Sequence, residues 1–212
     1  MLRRARGGHV RVLTCADTGV LVEVADLAEV VALRAALAAQ PPPGVTDVVP
    51  AARTVLLRVE PGTDTDRVAA AVAALPVTPG DHGGGGGAVT IPVHYDGADL
   101  ADVAELTGLT PRGVVAAHTA AHWTVAFCGF APGFGYMVGD DPRLHVPRRG
   151  EARTRVPAGS VALAGEFTGV YPRSSPGGWQ LLGRTETRIW DLDRDPPGLL
   201  RPGVRVRFTE AP

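Results

Sequence analysis

Hydrophobic and polar positions change their period along the first third of the chain, and each change predicts an element. Val10 and Val12, then Val20, Val22 and Val24, alternate with their neighbours as strands do, and Asp17-Thr18-Gly19 supplies a turn between them. At Asp26 the period lengthens. An aspartate cap with Glu29 three residues on opens a helix whose face carries Leu27, Val30, Val31 and Leu37, until Pro41-Pro42-Pro43-Gly44 ends it. Val45–Val49 and Thr54–Val59 read as a strand pair separated by Pro50, and Val68, Ala71, Val72 and Leu75 as a second helix stopped by Pro76. Strand, helix, two strands, helix is the order of a ferredoxin-like α+β sandwich whose last strand has no evident place.

The pattern then lapses. Pro79, Gly80, Asp81, His82 and five consecutive glycines have too few side chains to build a core, so the reading is an α+β domain over 1–77, a glycine-rich linker over 78–87 and a second domain over 88–212. As a phosphate loop the glycine run lacks the following Lys, Ser or Thr and a helix start. Beyond it come a strand at Val89–Val93, a short helix at Leu100–Leu106 and a helix opened by Thr110-Pro111 that runs to about His118. The rest reads as β, at His122–Phe130, Ser160–Ala164, Gly178–Gly183, Arg188–Leu192 and Val204–Phe208. Short strands with Gly and Pro between them predict a closed barrel.

Composition narrows the function. With 212 residues, 45% hydrophobic and 20% charged, each half can bury a core. A formal net charge of -1 gives no support to non-specific binding of nucleic acid or membrane. All 21 basic residues are arginine. The chain therefore carries no biotinyl-lysine, no pyridoxal phosphate Schiff base and no Walker A lysine. Cys15 and Cys128 stand apart without CxxC spacing, which argues against a disulfide framework or structural zinc. Arg3, Arg4 and Arg6 are followed by no long apolar stretch, so the reading is cytoplasmic.

Candidate chemistry is concentrated in the second half. Gly129-Phe130-Ala131-Pro132-Gly133-Phe134-Gly135-Tyr136 is either a loop that leaves backbone N–H groups free for a ligand between aromatic walls, or a tight Pro-Gly turn with Phe130 and Phe134 in the core. Arg148, Arg149, Arg153 and Arg155 fall in eight positions and suit a carboxylate or phosphate, although Arg149 and Arg155 also read as solvated. Tyr171, Ser175 and Gln180 are neutral donors and acceptors on tightly turned backbone. Ser160 lacks a G-x-S-x-G elbow and reads as a turn into a strand rather than a nucleophile. His118 is a candidate general base, and with His122 an i, i+4 pair, but no acidic residue close in sequence completes a metal site, so none is expected.

Taken in order, Ile91-Pro92-Val93-His94-Tyr95-Asp96-Gly97-Ala98-Asp99-Leu100, His118-Thr119, Gly129 to Tyr136, Val156-Pro157-Ala158-Gly159-Ser160, Gly169-Val170-Tyr171-Pro172 and Ser175-Pro176-Gly177-Gly178-Trp179-Gln180 resemble the allophanate hydrolase subunit 1 family. The stretch from Pro43-Gly44-Val45 through Pro50-Ala51 is also similar. Met137 stands where Leu is usual, and Ala16-Asp17 where Gly-Asp is usual.

The resemblance implies a cyclophilin-like β-barrel behind the small α+β domain. It also implies a hydrolase component, inactive alone, of an ATP-dependent 5-oxoprolinase that opens 5-oxoproline to glutamate. Its implied partners are a C-type 5-oxoprolinase component of the allophanate hydrolase subunit 2 type, with a related barrel, and an A-type 5-oxoprolinase component. ATP is expected to be used by the complex and not through a P-loop here. Opening a lactam requires an activated amide oxygen and a held carboxylate. Arg148 or Arg153 is expected to hold the carboxylate, the Pro132-Gly133 backbone or Gln180 to orient the amide, and His118 to move a proton. Two other functions stay open on the same fold: an inhibitor of a sensor histidine kinase, and a hydrolase component for allophanate or another urea-derived amide. A peptidyl-prolyl isomerase would rest on the barrel alone, since no cyclophilin active-site motif is visible.

Overall fold

The structure is a computed structural model that describes residues 10–77 and 87–212; the expected linker, apart from Gly87, lies outside them. The chain divides into two compact units, Met1–Gly84 and Gly85–Pro212.

The first unit runs β1 (Arg11–Thr14), β2 (Gly19–Glu23), α1 (Leu27–Ala39), β3 (Val45–Pro50), β4 (Thr54–Val59) and α2 (Thr65–Ala74). Its sheet has the order β1-β2-β4-β3 and is antiparallel throughout. The local signals act as the sequence predicts. Asp26 accepts the Glu29 N–H at 2.9 Å, and the Glu29 carboxylate accepts the Ala25 N–H at 2.9 Å. Val22, Val30, Leu37, Val55, Leu57 and Val68 are buried in its core. The fourth sheet position, for which the sequence offers no strand after the second helix, is filled from the front of the unit by β1. The β1–β2 turn needs a left-handed residue, and Ala16 adopts it at φ +53°. That is a conformation glycine takes without the steric penalty of a Cβ, which accounts for the glycine usual there.

The second unit contains β5 (Ala88–Val93), α3 (Leu100–Thr107), α4 (Pro111–Ala120), β6 (Trp123–Cys128), β7 (Gly135–Val138), β8 (Arg153–Val156), β9 (Ser160–Ala164), β10 (Phe167–Val170), β11 (Ser175–Gly177), β12 (Gln180–Arg184) and β13 (Arg205–Glu210). Seven strands form one sheet of order β12-β9-β10-β7-β6-β13-β5, in which only β13 and β5 pair in parallel. The two ends of that order meet: His94 and Arg184 exchange N–H···O=C bonds of 2.9 Å each, and the Gly97 N–H donates to Leu182 C=O at 3.0 Å. The sheet is thus a nearly closed barrel. Closure requires two glycines, because a Cβ on Gly97 or Gly183 would drive into the backbone of the opposite strand.

Closure also explains a correction. Arg188–Leu192, expected as a strand, makes a single bridge, Trp190 to Gly198, because its backbone bonds go to the nearby 197–199 stretch and the meeting of β5 and β12 closes the edge of the seven-stranded sheet. Conversely, β7, β8, β10 and β11 are three or four residues long, too short for alternation to reveal.

All five residues of β9 are buried, and the two-residue period of the strand divides them. Val161 and Leu163 join Ile91, Met137, Leu182 and Phe208 in the barrel interior. Ala162 and Ala164 join Phe134, Tyr171, Trp179 and Leu181 in a second core on the outer face. The two-stranded ribbon β8–β11 carries the residues that border that outer core.

Candidate functional site

The outer face combines an aromatic wall with a group of arginines. Its wall begins at the β6–β7 connection, where Ala131 C=O accepts the Phe134 N–H at 3.0 Å with Pro132 and Gly133 between them. Gly133 sits at φ +84°, so this is a type II turn with proline and glycine at their favoured positions. Each sequence reading of this stretch holds in part. Phe134 is buried and meets Tyr136, Tyr171 and Trp179 edge-on at ring separations of 5.0, 5.3 and 5.3 Å. Phe130, expected inside under the turn reading, is 59% exposed and left-handed at φ +66°. The N–H groups of Gly129, Ala131 and Phe134 bond within the loop, so they are not the free donors that a ligand-cradling loop would offer. Pro132 is exposed, and Gly133 is buried against Trp190 and Pro172.

The arginines are organised by a residue that sequence reasoning passed over. Asp99, 1% exposed at the start of α3, accepts from Arg149 Nη1 at 2.5 Å and Arg153 Nη2 at 2.7 Å on one oxygen, and from the Leu181 N–H at 2.7 Å on the other. Burial pushes its carboxyl up, but the Arg153 and Leu181 hydrogen bonds and the two guanidinium charges outweigh that and hold it below the usual carboxylate range. Arg149, expected in water, is turned inward. The alternation behind that expectation applies to strands, and Pro147 to Arg149 lie on irregular backbone. Arg155 is exposed as expected, with Nε donating to Ser174 Oγ at 3.2 Å.

Around this ion pair the ribbon pairs Gly177 with Arg153, the Arg149 N–H donates to Gly178 C=O at 2.8 Å, and Gln180 Nε2 donates to Pro147 C=O at 3.2 Å. The Tyr171 hydroxyl lies against Gly177, and the Arg148 guanidinium against Gly178. Burial raises the Tyr136 and Tyr171 phenols, partly opposed by the charge of Arg148, so both remain hydrogen-bond donors at neutral pH. Phe134, Arg148, Arg153, Tyr171 and Gln180 are therefore brought together, Ser175 lies on the same ribbon opposite Val156, and Pro132 and Gly133 adjoin them through Phe134 and Pro172. Tyr136, Trp179, Arg149 and Asp99 complete the site. Asp99 stood in the sequence motif, but an aspartate before a helix has a simpler capping explanation, and its side chain does not cap.

His118 lies elsewhere, with 0% exposure inside the barrel. Tyr95 Oη is 2.8 Å from Nδ1, Nε2 is 3.0 Å from Thr168 Oγ1, and Thr168 donates to Ala162 C=O at 3.1 Å. The Ala162 carbonyl can only accept, so Thr168 accepts from His118 Nε2–H and Nδ1 accepts from Tyr95. Burial drives its pKa down to about 3, so the ring is neutral. Its role as a proton carrier is corrected by this geometry: neither nitrogen is free, and the ring lies on the interior side of the sheet. His122 points away from it, its Nδ1 2.9 Å from Asp140 Oδ2, an acidic partner invisible in sequence because it lies 18 positions on. Among the described residues no three His, Cys, Asp or Glu side chains are grouped to hold a metal ion. Ser160 is buried at the head of β9, where its C=O accepts the Tyr171 N–H at 2.9 Å.

A family model for the carboxyltransferase domain, subdomain C and D, matches residues 10–200. The chain belongs to this family. It is 51% identical over 123 residues to the B-type component of 5-oxoprolinase from Escherichia coli O157:H7, a match covering 57% of this chain and 56% of that protein. Over 123 residues it is 46% identical to the same 5-oxoprolinase component from Bacillus subtilis, covering 57% and 51%. The matches span little more than half the length of these curated relatives, and they agree with the family resemblance carried by the motifs. Among solved structures, the chain resembles TTHA0988 with a TM-score of 0.76 and 39% identity, over 92% of this chain and 40% of that one. It also resembles the Kluyveromyces lactis urea carboxylase with a TM-score of 0.72 over 100% of this chain and 22% of that one, and at 18% identity this likeness concerns the fold alone.

Proposed function

We propose that this carboxyltransferase-domain chain is the B-type component of an ATP-dependent 5-oxoprolinase, contributing to hydrolytic opening of 5-oxo-L-proline to L-glutamate in the cytoplasm. The observation that carries this reading is the 51% identity to a 5-oxoprolinase component of that type. In it the first unit is a ferredoxin-like domain over 1–77, with β1 as its outer strand, and the second is a cyclophilin-like barrel over 88–212. The partners are a C-type component of the allophanate hydrolase subunit 2 type and an A-type component. ATP is a substrate of the complex and is not held by a Walker A loop of this chain, which has no lysine.

The chain's own residues would do four things. Arg153 and Arg148 supply positive charge for the substrate carboxylate, which a planar guanidinium binds with two parallel N–H donors. Phe134, Tyr136, Tyr171 and Trp179 present a largely apolar wall that suits a small ring and excludes water from it. The turn at Pro132 and Gly133 shapes the margin of the site. His118 keeps β10 and α4 in register from the interior and acts as a positioning residue. The family's carboxyltransferase description favours one second reading, a carboxylated urea derivative as substrate, which would use the same arginines.

The test is 5-oxoproline-dependent ATP hydrolysis by this chain alone and mixed with its two partners. Turnover only in the mixture is expected. No turnover in a mixture shown to assemble would overturn the proposal, and turnover by the chain alone would overturn its dependence on partners.

A further inference from the structure

Buried polar atoms in folded proteins nearly always have partners, so several unpaired ones in one place point to a ligand. Among the described residues four buried side-chain atoms have none: Arg149 Nε, Arg153 Nη1, Ser175 Oγ and Gln180 Oε1. Arg153 and Ser175 lie on the ribbon β8–β11, Ser175 opposite Val156, and Arg149 and Gln180 flank that ribbon. Gly177 pairs with Arg153, Arg149 bonds to Gly178, and the Gln180 amide bonds to the loop that carries Arg149. Gln180 is 5% exposed.

The kinds of atom left free specify what would satisfy them. The Pro147 carbonyl can only accept, so Gln180 must present its nitrogen to it and its oxygen to the site. The free set is thus two guanidinium N–H donors, one amide acceptor and one hydroxyl that can do either. Charge sets a further condition. Two guanidiniums share a single buried carboxylate, Asp99, which leaves one positive charge unbalanced. With the exposed Asp102, 3.8 Å from Arg149, and the exposed Arg148 included, three guanidiniums still face two carboxylates, so the excess stays at one positive charge. One ligand carboxylate balances the remainder, and an N–H beside it satisfies Gln180.

We propose that Arg149, Arg153, Ser175 and Gln180, oriented by Asp99, recognise a small monocarboxylate that carries an amide N–H next to its carboxylate-bearing carbon. Arg149, Ser175 and Gln180 are the specificity-determining contacts, and Asp99 is a positioning residue that fixes both arginine forks before the ligand arrives. This deepens the functional proposal, since it rests on the outer face being the substrate site and names the class of acid that fits it.

Calorimetric titration of the full chain tests it with four probes. 5-Oxoproline and N-carbamoylglycine are amide acids; 2-pyrrolidinone lacks the carboxylate, and 1-methyl-5-oxoproline lacks the N–H. At least one amide acid is expected to bind, with 2-pyrrolidinone weaker by tenfold or more and the methylated acid weaker than 5-oxoproline. Arg149→Met and Gln180→Glu should each weaken the acid at least tenfold, the second by neutralising the unbalanced charge, while Arg155→Met leaves it unchanged. Asp99→Asn should narrow the preference for acid over 2-pyrrolidinone, a ratio that a purely structural role would not move. Binding of N-carbamoylglycine without 5-oxoproline would leave this site standing and remove the 5-oxoprolinase reading. Failure of both acids, equal binding of 2-pyrrolidinone, or full affinity in folded Gln180→Glu would overturn the inference.

Discussion

Two buried polar clusters lie on opposite faces of the same sheet, and they differ in whether their hydrogen bonds are complete. On the inner face Tyr95, His118, Thr168 and the Ala162 carbonyl form a chain in which each donor has an acceptor. On the outer face Asp99 is satisfied by three donors, but the arginines, the serine and the glutamine around it keep four buried atoms unpaired. A closed network in an apolar interior stabilises one arrangement of the core, whereas an open one costs stability until something binds. A buried histidine is therefore the weaker sign of function in this barrel, and an unpaired glutamine oxygen the stronger one.

The largest effect should come from the residue on which the open cluster depends. Asp99→Ala leaves two guanidiniums without their shared anion and the Leu181 N–H without its acceptor. It is expected to lower unfolding free energy by about 3 kcal/mol in urea denaturation, and an unchanged midpoint would mean that Asp99 does not organise the site.

The closed cluster should show itself through pH. His118 has a folded pKa of about 3 against an unfolded value near 6.5, so the unfolded chain takes up a proton between those limits that the folded chain does not. The contribution of neutral His118 is fully present above about pH 6.5 and is lost as pH falls, by about 1.4 kcal/mol per unit. Over two pH units this amounts to about 2 to 3 kcal/mol, and His118→Phe should flatten that part of the curve. An identical slope in the variant would show that His118 is not held neutral.

Thr168→Val removes the link between His118 and Ala162 while keeping the shape of the side chain. A loss of about 2 kcal/mol is expected, from two buried groups left without partners. The comparison would fail if it cost no more than an exposed threonine elsewhere.

Arg153→Ala should separate function from stability. In the assembled complex it is expected to reduce turnover tenfold or more, about 1.4 kcal/mol, while changing the unfolding midpoint of the chain little, because Arg149 still neutralises Asp99. Unchanged kinetics would remove Arg153 from the site. The smallest effect serves as a control far from both clusters. Ala16→Gly relieves a left-handed alanine and should stabilise the first unit by about 0.5 kcal/mol, with no change in either barrel cluster.

The sequence was most legible where a signal acts over a few residues. The caps at Asp26 and Thr110, the proline stops and the alternation of Val20, Val22 and Val24 all lead to the elements they predict. Candidate site residues were legible as types in a cluster, so Arg148, Arg153, Tyr171, Ser175 and Gln180 could be named before their positions were known. Their relations could not be named. Asp99 meets Arg149, Arg153 and Leu181 across 50, 54 and 82 positions, and no local pattern distinguishes it from an ordinary residue at a helix start. His118 misled for the same reason: a polar residue near a helix end reads as available, and only the barrel, with β10 and β13 folded over it, shows it enclosed.

By itself the sequence determined the regular elements and the pool of chemically capable side chains, because hydrophobic period, caps and turn residues act through neighbouring backbone. The tertiary structure decided which of those side chains share a site, where the barrel closes and which polar atoms stay unpaired. Each of these depends on backbone from distant parts of the chain meeting at hydrogen-bond distance, and that is a property of the packed sheet.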